Sequence, residues 1–112
     1  MVKRYIPDRG DIVWIDFDPQ KGREQAKRRP AVILSSRLYN EKSGLLIACP
    51  ITSKVKGYPF EIKVTDGKIV GAILTNQVRA FDWHIRRAIF IQRLKPVLLL
   101  ETRECLIQLI TE

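Results

Sequence analysis

Two side chains of wide chemical use are scarce in this sequence, and each scarcity narrows what the protein can do. Histidine occurs once, as His84, and cysteine twice, as Cys49 and Cys105. The cysteines match no metal-ligand spacing and stand in apolar surroundings, so two buried thiols are expected in place of a disulfide or a zinc site. His84 lies in the basic stretch Trp83-His84-Ile85-Arg86-Arg87 without an evident carboxylate to orient it, which favours a structural or polyanion-contacting role over catalysis. There is no Ser/His/Asp order, no glycine-rich phosphate loop and no carboxylate-rich cluster for Mg²⁺. No metal and no cofactor is expected, and any chemistry must come from Arg, Thr, Glu and amides. Long apolar runs are missing too. Val97 to Leu100, the most apolar stretch, is far short of the ~20 residues that cross a bilayer. The basic N-terminus meets Pro7 and Asp8 where a signal peptide needs an apolar core. A cytoplasmic location without membrane contact is expected.

What is abundant is positive charge. The chain carries 20 Lys plus Arg against 12 Asp plus Glu, a net +8 on 112 residues. Such an excess sets up a field that attracts polyanions, but nucleic acid, anionic membrane and acidic protein segments all satisfy it. With 46% hydrophobic residues, the length supports one modest core and one domain spanning 1–112.

Ile12-Val13-Trp14-Ile15-Asp16-Phe17 is β-branched and aromatic and stops at Asp18-Pro19, which predicts a first strand. Ala31 to Ser35 predicts a second. Asn40 to Gly44 has turn chemistry, and Leu45 to Ile51 predicts a strand buried on both faces that pairs with the second as a hairpin. Tyr58 to Val64 alternates and ends in a Thr65-Asp66-Gly67 turn; Ile69 to Thr75 and Ala88 to Gln92 complete the strands. After Pro96, apolar residues recur at three- and four-residue spacing through Leu98, Leu99, Thr102, Cys105, Leu106, Leu109 and Ile110, which predicts a C-terminal helix. Many short strands closed by one helix imply a mainly β fold, a strongly twisted antiparallel sheet curled into a small barrel.

Charge and polar chemistry gather in three places. The connection from Asp18 to Pro30 is nearly devoid of apolar residues and holds Lys21, Arg23, Lys27, Arg28 and Arg29, together with Glu24 and Gln25. Long polar connections in compact domains carry binding more often than they are idle surface. Arg29 stands apart because the residue before a proline is held extended, so its guanidinium is aimed while its neighbours wander. Thr52 and Ser53 leave a buried strand just before Lys54 and Lys56, a good setting for phosphate although also an ordinary strand end. Asn76, Gln77 and Arg79, bordered by Phe81 and Trp83, form a third group suited to unstacked bases, with Arg86 close by in sequence. Trp14 and Trp83 themselves are expected in the core or at an interface.

With these segments in place the sequence resembles the MazF/PemK family of toxin endoribonucleases. The resemblance rests on Gly10-Asp11-Ile12-Val13-Trp14-Ile15-Asp16-Phe17-Asp18-Pro19, Gly22-Arg23-Glu24-Gln25, Arg29-Pro30-Ala31-Val32, Cys49-Pro50-Ile51-Thr52-Ser53 and Asn76-Gln77-Val78-Arg79. It covers nearly the whole chain. It implies an SH3-like barrel with a C-terminal helix, a homodimer, an antitoxin partner with a flexible acidic segment, and cleavage of single-stranded mRNA that leaves 2′,3′-cyclic phosphate and 5′-hydroxyl ends. The family's catalytic Arg and Thr fall on Arg29 and Thr52, and Glu24 matches a position considered functional. Some relatives have His where this chain has Arg23 and Asp where it has Asn76, so that subgroup's acid-base set is absent here. Two rival readings are a gyrase-binding toxin of the CcdB type and a basic barrel that binds RNA without cutting it.

Overall fold

The β-branched run after Gly10 forms strand β1 (Asp11–Asp18), and the chain returns as β2 (Lys27–Ile33), antiparallel to it with Ile12 opposite Val32 and Ile15 opposite Arg29. The computed structural model describes residues 4–18 and 27–112. On the other side of β2 lies β3 (Leu45–Thr52), with Ala31 opposite Pro50. The end of β3 pairs with β5 (Ile69–Leu74), which forms a hairpin with β4 (Glu61–Asp66). The start of β3 pairs with β6 (Arg79–Asp82), and β7 (Ile89–Arg93) borders β1. All these pairings are antiparallel, in the order β4-β5-β3-β2-β1-β7.

Side chains alternate across a strand, so one sheet supplies two cores. Ile12, Val32, Cys49 and Ile51 pack with Val64, Ile69, Ile73 and Leu94 on one face, and Leu98 and Leu99 of the C-terminal helix α2 (Pro96–Thr111) cover them. Val13, Ile15, Ala31, Ile33, Leu46 and Ala48 pack with Phe81 and Trp83 on the other. β3 is therefore buried on both faces, as its apolar run predicts, and each fully buried aliphatic side chain contributes about 1.5–3 kcal/mol. On α2 the apolar stripe outruns its cover: Thr102 is buried, while Leu109 and Ile110 are exposed.

The sheet curls as expected, but its ladder does not close. β4 and β7 stand at its two ends and share no ladder among the described residues. A side chain bridges them instead: Gln92 on β7 donates through Nε2 to the Asp66 carbonyl at 2.7 Å, and its Oε1 accepts from the Lys68 N–H at 3.1 Å. Gly67 in that turn has φ +61°, and a Cβ there would stand 2.8 Å from Gln92 Oε1. Two buried polar groups anchor the N-terminal segment. Asp11 accepts from Tyr5 Oη (2.6 Å), the Asp8 N–H (3.0 Å) and Arg93 Nη1 (2.7 Å). Burial and the Asp11 carboxylate beside it both push the Tyr5 phenol well above its usual range. The Asn40 side chain donates to the carbonyls of Pro7 and Ser35, and its backbone carbonyl accepts from Trp83 Nε1 at 2.9 Å.

Two local expectations are corrected. Residues read as a turn belong to helix α1 (Arg37–Ser43), because Ser36 caps its start, accepting from the Tyr39 N–H at 3.2 Å, and Gly44 ends it at φ 75°. Strand β6 was not predicted, since Phe81 is its one buried residue and pairing with β3 holds the rest extended. Among the described residues no helix is long and apolar enough to cross a membrane.

Candidate active site

Where β2 begins and β3 ends, the curved sheet opens a cleft of about 440 Å³. Pro30, midway along β2, fixes the chain opposite Trp14. The β2–β3 register, continued two residues past Ala31 and Pro50, sets Arg29 across from Thr52, and both line the cleft. Arg28, Ser53 and Lys54 line it as well. Along the β3–β5 side stand Lys68, Ile69 and Val70.

The electrostatics of the cleft are lopsided. Arg28, Arg29, Lys54 and Lys68 line it, and among the described residues the carboxylate paired with any of them is Asp16, whose Oδ1 lies 3.4 Å from Arg28 Nε. Arg29 makes no ion pair among the described residues. Thr52 is half-buried, and its Oγ1 accepts from the Lys54 N–H at 3.1 Å. That bond engages one lone pair of the hydroxyl, whose proton remains a donor for a ligand. Gly71 makes this placement possible, because a Cβ there would collide with the Thr52 carbonyl oxygen. A guanidinium and a hydroxyl donor held on rigid strands are suited to an oxyanion, above all a phosphate gaining charge.

The sequence-derived candidates divide. Arg28, Arg29, Thr52, Ser53 and Lys54 come together in the cleft. Lys56 lies on the following loop, where its N–H donates to Glu61 Oε1 at 3.1 Å. Asn76 and Gln77 are exposed in a single 3₁₀ turn, and Arg79 stacks with its guanidinium 4.6 Å from the Phe81 ring centre; none of the three lines the cleft. Arg86 serves the scaffold: its Nη1 donates to the carbonyls of Asp16 (3.1 Å) and Phe17 (2.9 Å), pinning the end of β1. Lys21, Arg23, Glu24, Gln25 and the side chain of Lys27 lie outside the described residues.

Sequence reasoning missed Trp14, Lys68 and Val70. Trp83 is in the core as expected, whereas Trp14 is 39% exposed and lines the cleft, on the strand face it shares with Asp16. The cysteines are both free; burial pushes the Cys49 thiol up to about 12, far from a nucleophile's range. His84 accepts from Arg4 Nη2 at 2.6 Å and stacks on Trp83, away from the cleft. Among the described residues no three His, Cys, Asp or Glu side chains gather as metal ligands would.

Residues 8–110 match the family described as PemK-like, MazF-like toxin of type II toxin-antitoxin system. The chain belongs to this toxin family. It is 49% identical over 88 residues to the endoribonuclease toxin MazF of Escherichia coli strain K12, covering 79% of each chain. The MazF crystal structure from Deinococcus radiodurans superposes with a TM-score of 0.88 at 42% identity, covering 97% of this chain and all of that one. MazF in the MazE-MazF crystal structure of the same organism gives 0.89 at 42% identity, covering 96% and 97%. The MazF-like architecture thus comprises the antiparallel sheet and the C-terminal helix, with Arg29 and Thr52 on adjacent strands of it.

Proposed function

We propose that this chain cuts single-stranded RNA at a short sequence, without a metal, by attack of a ribose 2′-hydroxyl on its own 3′-phosphate. Its class is that of a MazF-like endoribonuclease toxin of a type II toxin-antitoxin system, from the family match and the named activity of its relatives. The observation that carries the mechanism is the meeting of Arg29 and Thr52 in one cationic cleft from distant points of the chain. The 2′-oxygen bonds to phosphorus, the bond to the 5′-oxygen breaks, and the products are a 2′,3′-cyclic phosphate and a 5′-hydroxyl. The pentavalent species between them carries added negative charge. Arg29, always protonated, stabilises that charge, and the Thr52 hydroxyl donates to the same oxygens. Glu24 is the proposed acceptor of the 2′-proton, on its closeness to Arg29 in sequence, while the departing 5′-oxygen takes a proton from water. Ser53, Lys54 and Arg28 hold flanking phosphates. The 1–112 domain acts as a homodimer in the bacterial cytoplasm, and an antitoxin with an acidic flexible segment occupies the same cationic surface. MazF is solved together with MazE in the Deinococcus radiodurans complex, which supports an antitoxin partner here.

The test is incubation of the purified protein with a defined single-stranded RNA in EDTA. Discrete fragments ending in 2′,3′-cyclic phosphate are expected, and the same sequence within a duplex is protected because its bases are not exposed. Intact RNA would return the field to the gyrase-binding and RNA-binding readings, neither of which the named endoribonuclease relatives favour.

A further inference from the structure

Strand β1 buries Ile12, Val13 and Ile15 completely, yet leaves the indole of Trp14 exposed between them. An exposed tryptophan forfeits much of the free energy its burial would give, so a ring held open on a rigid strand is suited to a ligand. Its position names the kind. Strand order β5-β3-β2-β1 puts Trp14 on one flank of the cleft and Ile69 and Val70 on the other, with Arg29 and Thr52 between them. Val70 is 68% exposed, an apolar side chain likewise turned outward. The flank that bears it is fixed by the Gln92 bridge to Asp66 and Lys68. Apolar faces on either side of fixed cations match a nucleotide, whose phosphate is anionic and whose base is flat and weakly hydrated on its faces.

Resting on the ribonuclease reading of this cleft, we infer that Trp14 is the stacking platform of a base subsite, holding one unpaired nucleobase beside the phosphate bound by Arg29 and Thr52. The indole supplies the stacking surface, Val70 limits the width of the slot, and Lys68 is placed for the neighbouring phosphate. Stacking tolerates any base, so Trp14 sets how firmly that nucleotide is held, and edge contacts from other groups select its identity. In the ladders Trp14 is registered with Pro30 on β2 and Ile89 on β7, so its backbone is held from both sides.

Two measurements test this, one independent of cleavage. Titration with a mixed-sequence single-stranded DNA hexamer, which lacks the attacking 2′-hydroxyl, should quench tryptophan fluorescence in the wild type, and the quench should vanish in Trp14→Phe. No quench at saturation, or the same quench in Trp14→Phe, overturns the inference whether or not the protein cuts RNA. With a cleavable RNA, abasic substitution at one position next to the cut should slow the wild type about tenfold to a hundredfold. Trp14→Leu should be slowed to a similar extent on intact RNA and lose little more on the abasic substrate; Trp14→Phe, which keeps an aromatic face, should retain most activity. Abasic penalties that stay equal in wild type and Trp14→Leu overturn the subsite. Should Trp14→Leu instead weaken self-association in light scattering with every abasic penalty intact, the ring belongs to a protein interface and the inference falls. A wild type that is quenched by the hexamer but cuts no RNA refutes the ribonuclease reading alone.

Discussion

On the proposed mechanism, replacing Arg29 by alanine separates a charge that acts on the reaction from charges that merely attract the substrate. Arg29 is exposed at the start of β2 and makes no ion pair among the described residues, so its truncation opens no core cavity. Folding stability should stay within about 0.5 kcal/mol of wild type, the usual range for a surface substitution. Catalysis should not. A preorganised donor aimed at developing charge typically contributes ~3 kcal/mol to the barrier, roughly a hundredfold or more in rate. Binding should fall far less, since Arg28, Lys54 and Lys68 still face the cleft. Lys54→Ala supplies the contrast. Removing one phosphate contact lowers the slope of log affinity against log salt by about 0.7 for a single strand, and saturated turnover stays near wild type because no contact special to the transition state is lost. Single-turnover cleavage at saturating enzyme, with affinity measured at several salt concentrations, reads both quantities. Wild-type speed from saturated Arg29→Ala would refute the aimed-guanidinium mechanism and transfer the chemistry to another residue.

Gly71→Ala should cost about 1–3 kcal/mol, the usual penalty of overpacking, and slow saturated cleavage, because the new methyl drives β5 away from the Thr52 carbonyl. Denaturant unfolding and single-turnover kinetics read the two effects. Asn40→Ala should cost ~2–4 kcal/mol in urea unfolding while leaving the cleft residues untouched, since it strips the buried carbonyls of Pro7 and Ser35 of their donor. Cys49 gives a pH dependence: its folded pKa is raised from 9.0 to about 12, so the thiol form contributes stability that is complete below about 9 and lost progressively as pH rises toward 12. Wild type should lose stability faster than Cys49→Ala across that window, by up to about 1.4 kcal/mol per pH unit, and parallel profiles would contradict the assignment.

Periodicity explains which elements were legible. β1, β3 and α2 announce themselves because one core or another reads every second, or every third and fourth, residue. β6 gives no such signal, since Arg79, Ala80 and Asp82 surround a single buried Phe81 and the ladder to β3 supplies the strand. α1 was hidden behind Asn40 to Gly44, turn-forming residues that here serve a cap and a buried hydrogen-bonding hub. Arg29 and Thr52, which line the cleft together, were singled out by side-chain chemistry and family resemblance. Trp14, Lys68 and Val70 were not, because strand order brings them to the cleft from separate hairpins.

The chain's many cations also prove unequal once their partners are known. Arg93 is tied to Asp11 and to the Arg9 carbonyl, Arg86 to two carbonyls at the end of β1, and Arg4 to His84. Their hydrogen bonds hold strands and the N-terminal segment together, so their charge adds to the distant field while their donors are already committed. Arg29, Lys54 and Lys68 have no carboxylate partner among the described residues, and all three open onto one cleft. Net charge therefore overstates the number of groups available to a polyanion and conceals where they are. A short-range donor strengthens as the departing charge grows, whereas a remote cation acts nearly equally on substrate and transition state. On the proposed mechanism, rate is consequently set by how firmly β2, β3 and β5 hold Arg29 and Thr52, and affinity by the uncommitted lysines around them.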